Sequence, residues 1–225
     1  MEIKQIRENL YSIEEGMVRC FLVLGKTEAL LIDTGIKKGL KKKIEEITNL
    51  PIKVILTHGD SDHTTAKDEF TEVYAHPIEI EFKNLKEVLP LTKDTIEIGE
   101  FKLEIILIPG HTPGSIALLE KTQRFLISGD SVSEATIYMF GKGRNIFAWR
   151  DSLHILAKYK NDFDVIYASH GPVAIAPDQI DACLSLINET LSGEIPGMKA
   201  PDNFDALVKV YQSKDKRASM YYIAD

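Results

Sequence analysis

Val54-Ile55-Leu56-Thr57-His58-Gly59-Asp60-Ser61-Asp62-His63 is the stretch on which the fold turns. An apolar run the length of one buried strand ends in a glycine turn, and the turn carries two histidines and two aspartates. The same grammar returns downstream. Ile105-Ile106-Leu107-Ile108-Pro109-Gly110 runs into His111, and Phe125-Leu126-Ile127-Ser128-Gly129 runs into Asp130. Val165-Ile166-Tyr167-Ala168-Ser169 runs into His170 and Gly171. Four strand ends thus deliver metal-type ligands to loops that can converge on one sheet edge. The candidate ligands are His58, Asp60, Asp62, His63, His111, Asp130 and His170. Imidazole and carboxylate together suit zinc, iron or manganese. So many donors exceed one tetrahedral ion and suit two ions that share a carboxylate, about 3.5–4 Å apart.

Working outward, Leu10–Ile13, Met17–Leu24 and Ala29–Ile32 read as strands, and Leu40, Ile44 and Ile47 recur at helical spacing before Pro51. A polar helix is predicted from near Asp62 to Phe70, and Pro77 opens another that runs to about Leu85. Thr95–Ile98 and Phe101–Ile108 flank a Gly99-Glu100 turn, and Ile116–Leu119 pairs with Arg124–Ser128. Trp149, Leu153, Leu156 and Ala157 mark a helix. Ile180, Cys183, Leu184, Ile187 and Leu191 mark another, opened by Pro177. The tail from about residue 194 is richer in Gly, Pro and charge, with a helix predicted around Phe204–Gln212 and an end strand at Met220–Ile223. Strands interleaved with helices predict an α+β chain whose sheets are covered by helices, with residues 1–225 as a single domain.

Composition narrows the function classes. The chain has 225 residues, of which 44% are hydrophobic and 27% charged, the mix of a globular protein. Its net charge of −7 offers no basic footprint, so no nucleic-acid partner is expected. No apolar run approaches the roughly 18 residues of a membrane span, so no membrane partner is expected either. Met1–Leu10 is charged and lacks the apolar core of a secretory signal. Cys20 and Cys183 sit in apolar patterns outside any Cys-x-x-Cys motif, and a cytoplasmic setting is the default. The expected partner is a small-molecule substrate.

The run His58-Gly59-Asp60-Ser61-Asp62-His63, followed by His111, Asp130 and His170, resembles the metallo-β-lactamase superfamily, nearest its glyoxalase II-like thioesterase branch. Leu31-Ile32-Asp33-Thr34-Gly35 and Pro109-Gly110-His111-Thr112-Pro113-Gly114 match its usual surroundings, and the resemblance covers roughly residues 10 to 190. It implies a four-layer αββα sandwich of two mixed sheets flanked by helices, with the metals in a cleft at one edge. It further implies His58, Asp60 and His111 at metal 1, Asp62, His63 and His170 at metal 2, and Asp130 bridging. Zinc is the metal the resemblance favours.

The family's first motif usually reads His-x-His-x-Asp-His, and Asp60 replaces its middle histidine. A carboxylate is harder and more negative than imidazole, which predicts that iron or manganese competes better here and that metal 1 is a weaker Lewis acid. It also brings the flavodiiron branch into view, and with it iron redox or persulfide chemistry as an alternative. The main expectation is hydrolysis. A hydroxide bridging two ions attacks a thioester, ester or lactone carbonyl, and Asp62 orients it. No Gly-x-Ser-x-Gly motif points to a serine nucleophile. A glutathione thioesterase of this family is expected to carry a cationic helical extension at its C-terminus, for which this tail is short.

The remaining residues have plainer roles. Asp60 could merely cap the helix that begins near Asp62. Asp33 reads as a hydrogen-bonding support for a ligand histidine. His76 stands at a helix entry, and His154 lies on an outer helix face. The loop from Tyr138 to Phe147 offers Tyr138 and Arg144 as substrate contacts.

Overall fold

The computed structural model describes residues 1–224. The first sheet runs β1 (Glu2–Arg7), β2 (Leu10–Glu14), β3 (Arg19–Leu24), β4 (Ala29–Ile32), β5 (Ile52–Ile55), β6 (Glu72–Ala75) and β7 (Leu89–Pro90) in spatial order. Its first four strands are antiparallel, and β4 to β7 are parallel. The second sheet holds β8 (Thr95–Ile98), β9 (Phe101–Leu107), β10 (Ile116–Glu120) and β11 (Phe125–Ile127), then β13 (Val165–Tyr167) and β14 (Ala174–Ile175). A third, smaller sheet joins β12 (Ile137–Tyr138) to β15 (Met198–Lys199), β16 (Lys209–Gln212) and β17 (Ser219–Tyr222). The helices are α1 (Leu40–Ile44), α2 (Ser61–Thr64), α3 (Pro77–Lys83), α4 (Ile146–Ala157) and α5 (Gln179–Leu191).

Strand alternation builds the layers. Phe21 and Val23 of β3 join Leu118 of β10 and Phe125 and Ile127 of β11 in the core between the sheets. Their neighbours point the other way. Cys20 and Leu22 meet Leu40 and Ile44 of α1. Ala117, Leu119 and Leu126 meet Trp149 and Leu153 of α4 and Ile180 and Leu186 of α5. A strand apolar on both faces must be covered on both, and the result is the expected sandwich of two mixed sheets with helices outside.

Three features depart from the sequence reading. Glu2–Arg7 is an edge strand whose charged, half-exposed face hides it from a hydrophobicity pattern. The helix predicted from Asp62 to Phe70 stops at Thr64 and resumes only as a 3₁₀ turn over Lys67–Glu69. The helix predicted around Phe204–Gln212 is instead the strand β16 (Lys209–Gln212). Phe204, Leu207, Val208 and Tyr211 do recur at helical spacing, but Val210 pairs with Tyr221 and Tyr211 with Met220 across β17. Tyr211 is buried against the α5 side of the core while Leu207 stays exposed. Cross-strand pairing has overridden the local period.

Helix α4 fixes one ligand loop. Asn145 caps it, accepting from the amides of Phe147 and Ala148, while its own amide donates to the Gly110 carbonyl. Ser152 donates to the Pro109 carbonyl at 2.7 Å, and the Trp149 indole donates to the Ser131 carbonyl beside Asp130 at 2.8 Å. Gly110 has φ +142°, and a Cβ there would lie 2.4 Å from the Trp149 Cα and backbone nitrogen. Backbone cannot yield as a flexible side chain can. Gly110→Ala is therefore expected to cost about 2–3 kcal/mol of stability, read by urea denaturation, with the His111 loop displaced.

Candidate metal centre

Strands β4 and β5 are parallel, and β9, β11 and β13 share one direction because β10 lies antiparallel between β9 and β11. The carboxyl ends of these strands hold Asp33, His58, His111, Asp130 and His170. The structure brings all seven predicted ligands together in two groups, His58–Asp60–His111 and Asp62–His63–Asp130–His170, each with donor atoms within 4.8 Å of one another.

The spacings suit an ion. Asp60 Oδ2 lies 3.5 Å from His58 Nε2 and 3.3 Å from His111 Nε2. His170 Nε2 lies 3.3 Å from both Asp62 Oδ2 and Asp130 Oδ2, and His63 Nε2 lies 3.2 Å from Asp130 Oδ1. A tetrahedron with metal–ligand bonds of about 2.0–2.1 Å has edges of about 3.3–3.4 Å. Asp130 Oδ2 also lies 3.5 Å from His111 Nε2 and 3.7 Å from His58 Nε2, so this carboxylate faces both groups. Buried polar atoms without a hydrogen-bond partner concentrate here: Nε2 of His58, His63 and His111, and Oδ1 of Asp130. Lone pairs left bare in a buried site are what a cation would satisfy.

The outer nitrogens set the tautomers. His63 Nδ1 donates to Asp33 Oδ2 at 2.8 Å, and His170 Nδ1 donates to the Met17 carbonyl at 2.7 Å. Thr57 donates its hydroxyl to Asp33 Oδ2, leaving Oγ1 to accept from His58 Nδ1 at 3.1 Å. Each Nε2 is thereby the nitrogen aimed inward, the one a cation would take in place of a proton. Asp33 adopts φ +64° and also takes the Thr57 amide on Oδ1 at 2.7 Å, the supporting role expected of it.

Charge follows from these contacts. Burial opposes protonation of His63 and His170, yet Asp130 and Asp33 hold His63 well above the ordinary imidazole value, and Asp130 and Asp62 raise His170 to about 10. Burial alone would raise Asp130, but His63 and His170 keep it well below the usual carboxylate range. Burial pushes His111 down to about 4, so its ring is neutral. A divalent cation held by this group would compete with protons for the same nitrogens.

Asp60 stands at the start of α2, but its side chain makes no capping bond. Its Oδ1 accepts from Lys83 at 2.5 Å, and its Oδ2 accepts from the Arg144 guanidinium. Burial opposes its ionisation, but His111 and His58 outweigh that and keep it ionised. Arg144 is thus committed to Asp60 and the Tyr138 carbonyl, where the sequence reading put it against substrate. Tyr138 is 46% exposed and near enough to Asp62 to feel its charge. His76 caps α3 through its ring, and His154 is exposed on α4.

Sequence reasoning missed three supports. Glu79 is fully buried, takes the Gly59 amide on Oε1, and takes the Thr112 hydroxyl and Gly114 amide on Oε2. It ties the His58 loop to the His111 loop. Lys83 stands one helical turn on from Glu79, on the same face of α3. That i, i+4 pair of opposite charges was the available signal. Arg19 donates to the Ala168 and Gly171 carbonyls and ties the first sheet to the His170 loop.

The metallo-beta-lactamase superfamily model matches residues 13–81 and 68–170 of this chain. The chain belongs to the metallo-beta-lactamase superfamily. It is similar to a probable metallo-hydrolase of Methanocaldococcus jannaschii, 30% identical over 187 residues, which cover 68% of this chain and 87% of that protein. It is similar to a hydroxyacylglutathione hydrolase of Buchnera aphidicola subsp. Baizongia pistaciae, 31% identical over 148 residues, which cover 64% of this chain but 57% of that enzyme. Its fold is that of a metallo-beta-lactamase from Pontibacter korlensis, with a TM-score of 0.71 at 20% identity, covering 83% of this chain and 98% of that one. Superfamily membership and the two donor groups suit divalent metal ions. Among the described residues no helix is long and apolar enough to cross a membrane.

Proposed function

We propose that this superfamily member is a metal-dependent hydrolase of thioesters, esters or lactones, working as one unit with seven ligands. The observation that carries the reading is the double donor cage with its bare, buried lone pairs. Two divalent ions bound there would supply a water of lowered pKa and a Lewis acid for the carbonyl, with zinc the first candidate. Asp62, its side chain 37% exposed, is the most open of the seven candidate ligands, which suits it to orient the attacking water and receive its proton on a carboxylate oxygen. Asp130 spans both groups and sets their separation. Asp33, Glu79 and Arg19 hold the ligand loops so that no reorganisation is needed during turnover.

The small sheet speaks to the acyl group. Tyr138 packs against Phe140, Phe204 and Tyr221, with ring centroids 5.0–5.8 Å from its own. Tyr138 is within electrostatic reach of Asp62, and an aromatic wall there favours a small-molecule substrate with an apolar acyl part. Tyr138→Ala is expected to raise KM about tenfold for aryl and long-chain acyl thioesters, with metal content and kcat nearly unchanged. A panel of thioesters, esters and lactones, run on metal-analysed protein, tests the reading. Absence of hydrolysis across the panel would sink it. The Asp60 carboxylate favours one alternative, iron redox chemistry on the same fold, and iron as the sole metal of the purified protein would select that.

A further inference from the structure

The two donor groups differ in charge and in support. In the Asp62–His63–Asp130–His170 group, two ligand carboxylates and Asp33 behind His63 are negative. Among the described residues no lysine or arginine ion-pairs with any of the three. Both of its histidines donate Nδ1–H to a strong acceptor, a carboxylate for His63 and a carbonyl for His170. Such partners raise the basicity of the metal-facing nitrogen.

The His58–Asp60–His111 group is the reverse. Apart from the shared Asp130, its one negative ligand is ion-paired to two cations, Lys83 and Arg144, with side chains only 24% and 10% exposed. Arg144 binds the same Oδ2 that faces His58 and His111, so an entering ion must share that atom with a guanidinium. His58 Nδ1 has only the Thr57 hydroxyl, and His111 Nδ1 is buried with no partner at all. The extra negative charge that Asp60 brings to metal 1 is therefore more than offset by its neighbours.

We propose that Lys83 and Arg144 make His58–Asp60–His111 the weak member of a two-metal centre, so that the centre fills in order and rests with one ion in the Asp62–His63–Asp130–His170 site. Lys83 and Arg144 are positioning residues that act through Asp60. They hold its carboxylate in place while lowering its pull on a cation. The inference rests on the metal-centre reading above, and its test reads binding rather than turnover.

The test is calorimetric titration of the chelator-stripped full chain with zinc, repeated with manganese. The expected isotherm has one tight equivalent and a second that is on the order of 100-fold weaker. Arg144→Gln should tighten the second equivalent about tenfold and leave the first unchanged, and Lys83→Met should act in the same direction. His111→Ala should delete the weak equivalent alone, and His170→Ala the tight one. Circular dichroism confirms that each variant is folded. Two equivalents of equal affinity, or an Arg144→Gln variant whose second site is weaker or unchanged, would overturn the inference while leaving the metal centre standing. Failure to bind either metal would overturn both.

Discussion

Asp130→Ala is expected to deplete both metal positions together and to reduce hydrolysis by roughly a thousandfold, about 4 kcal/mol of transition-state stabilisation. Its carboxylate lies 3.2–3.7 Å from the Nε2 atoms of His58, His63, His111 and His170. Among the described residues no other candidate ligand faces both groups, so no other single ligand substitution should affect both occupancies so directly. His111→Ala removes one ligand of one group and, in protein loaded under conditions that fill both positions of the parent, should leave about half the metal. Elemental analysis of the two variants beside the parent checks this. An Asp130→Ala protein that retains both ions at parental affinity would show that Asp130 belongs to neither site.

Asp33 carries the second large effect, and the two obvious substitutions separate its roles. The carboxylate accepts from the Thr57 amide, the Thr57 hydroxyl and His63 Nδ1, all at 2.7–2.8 Å. Asp33→Ala strands these buried donors, and a loss of about 3 kcal/mol or more in urea-measured stability is expected. Asp33→Asn keeps the shape, and asparagine tolerates the left-handed backbone at φ +64°. Its carbonyl can still take the Thr57 amide. Its amide group, placed at His63, donates where the carboxylate accepted. His63 must then carry its proton on Nε2, the nitrogen that faces the metal site. The Thr57 hydroxyl must turn away from the new amide, so Asp33→Asn should be destabilised less than Asp33→Ala and bind metal in the Asp62–His63–Asp130–His170 site about 10–100-fold more weakly. Parental metal affinity in that variant would mean that the His63 tautomer is set elsewhere.

Much of the molecule is legible from local pattern. An apolar strand that stops at Gly59, Gly110, Gly129 or Gly171 can present the adjoining His58, His111, Asp130 or His170 only at a sheet edge, and the structure places all four there. The two-sided apolar strands likewise demand cover on both faces. Other features were out of reach. Strand β12 is two residues long, and its partner in the tail lies some eighty residues away, so no window of sequence contains the pair. The helical spacing of Phe204, Leu207, Val208 and Tyr211 is real but was outcompeted by pairing with β17.

The candidate donors are legible along the chain, because imidazole and carboxylate chemistry travels with the residue and its turn. What Asp60 would be worth as a ligand depends on how the chain folds. Its charge is offset by Lys83 from a helix more than twenty residues on and by Arg144 from a loop more than eighty residues on. Coulomb interactions depend on separation in space and on burial, and neither is written in the order of residues along the chain.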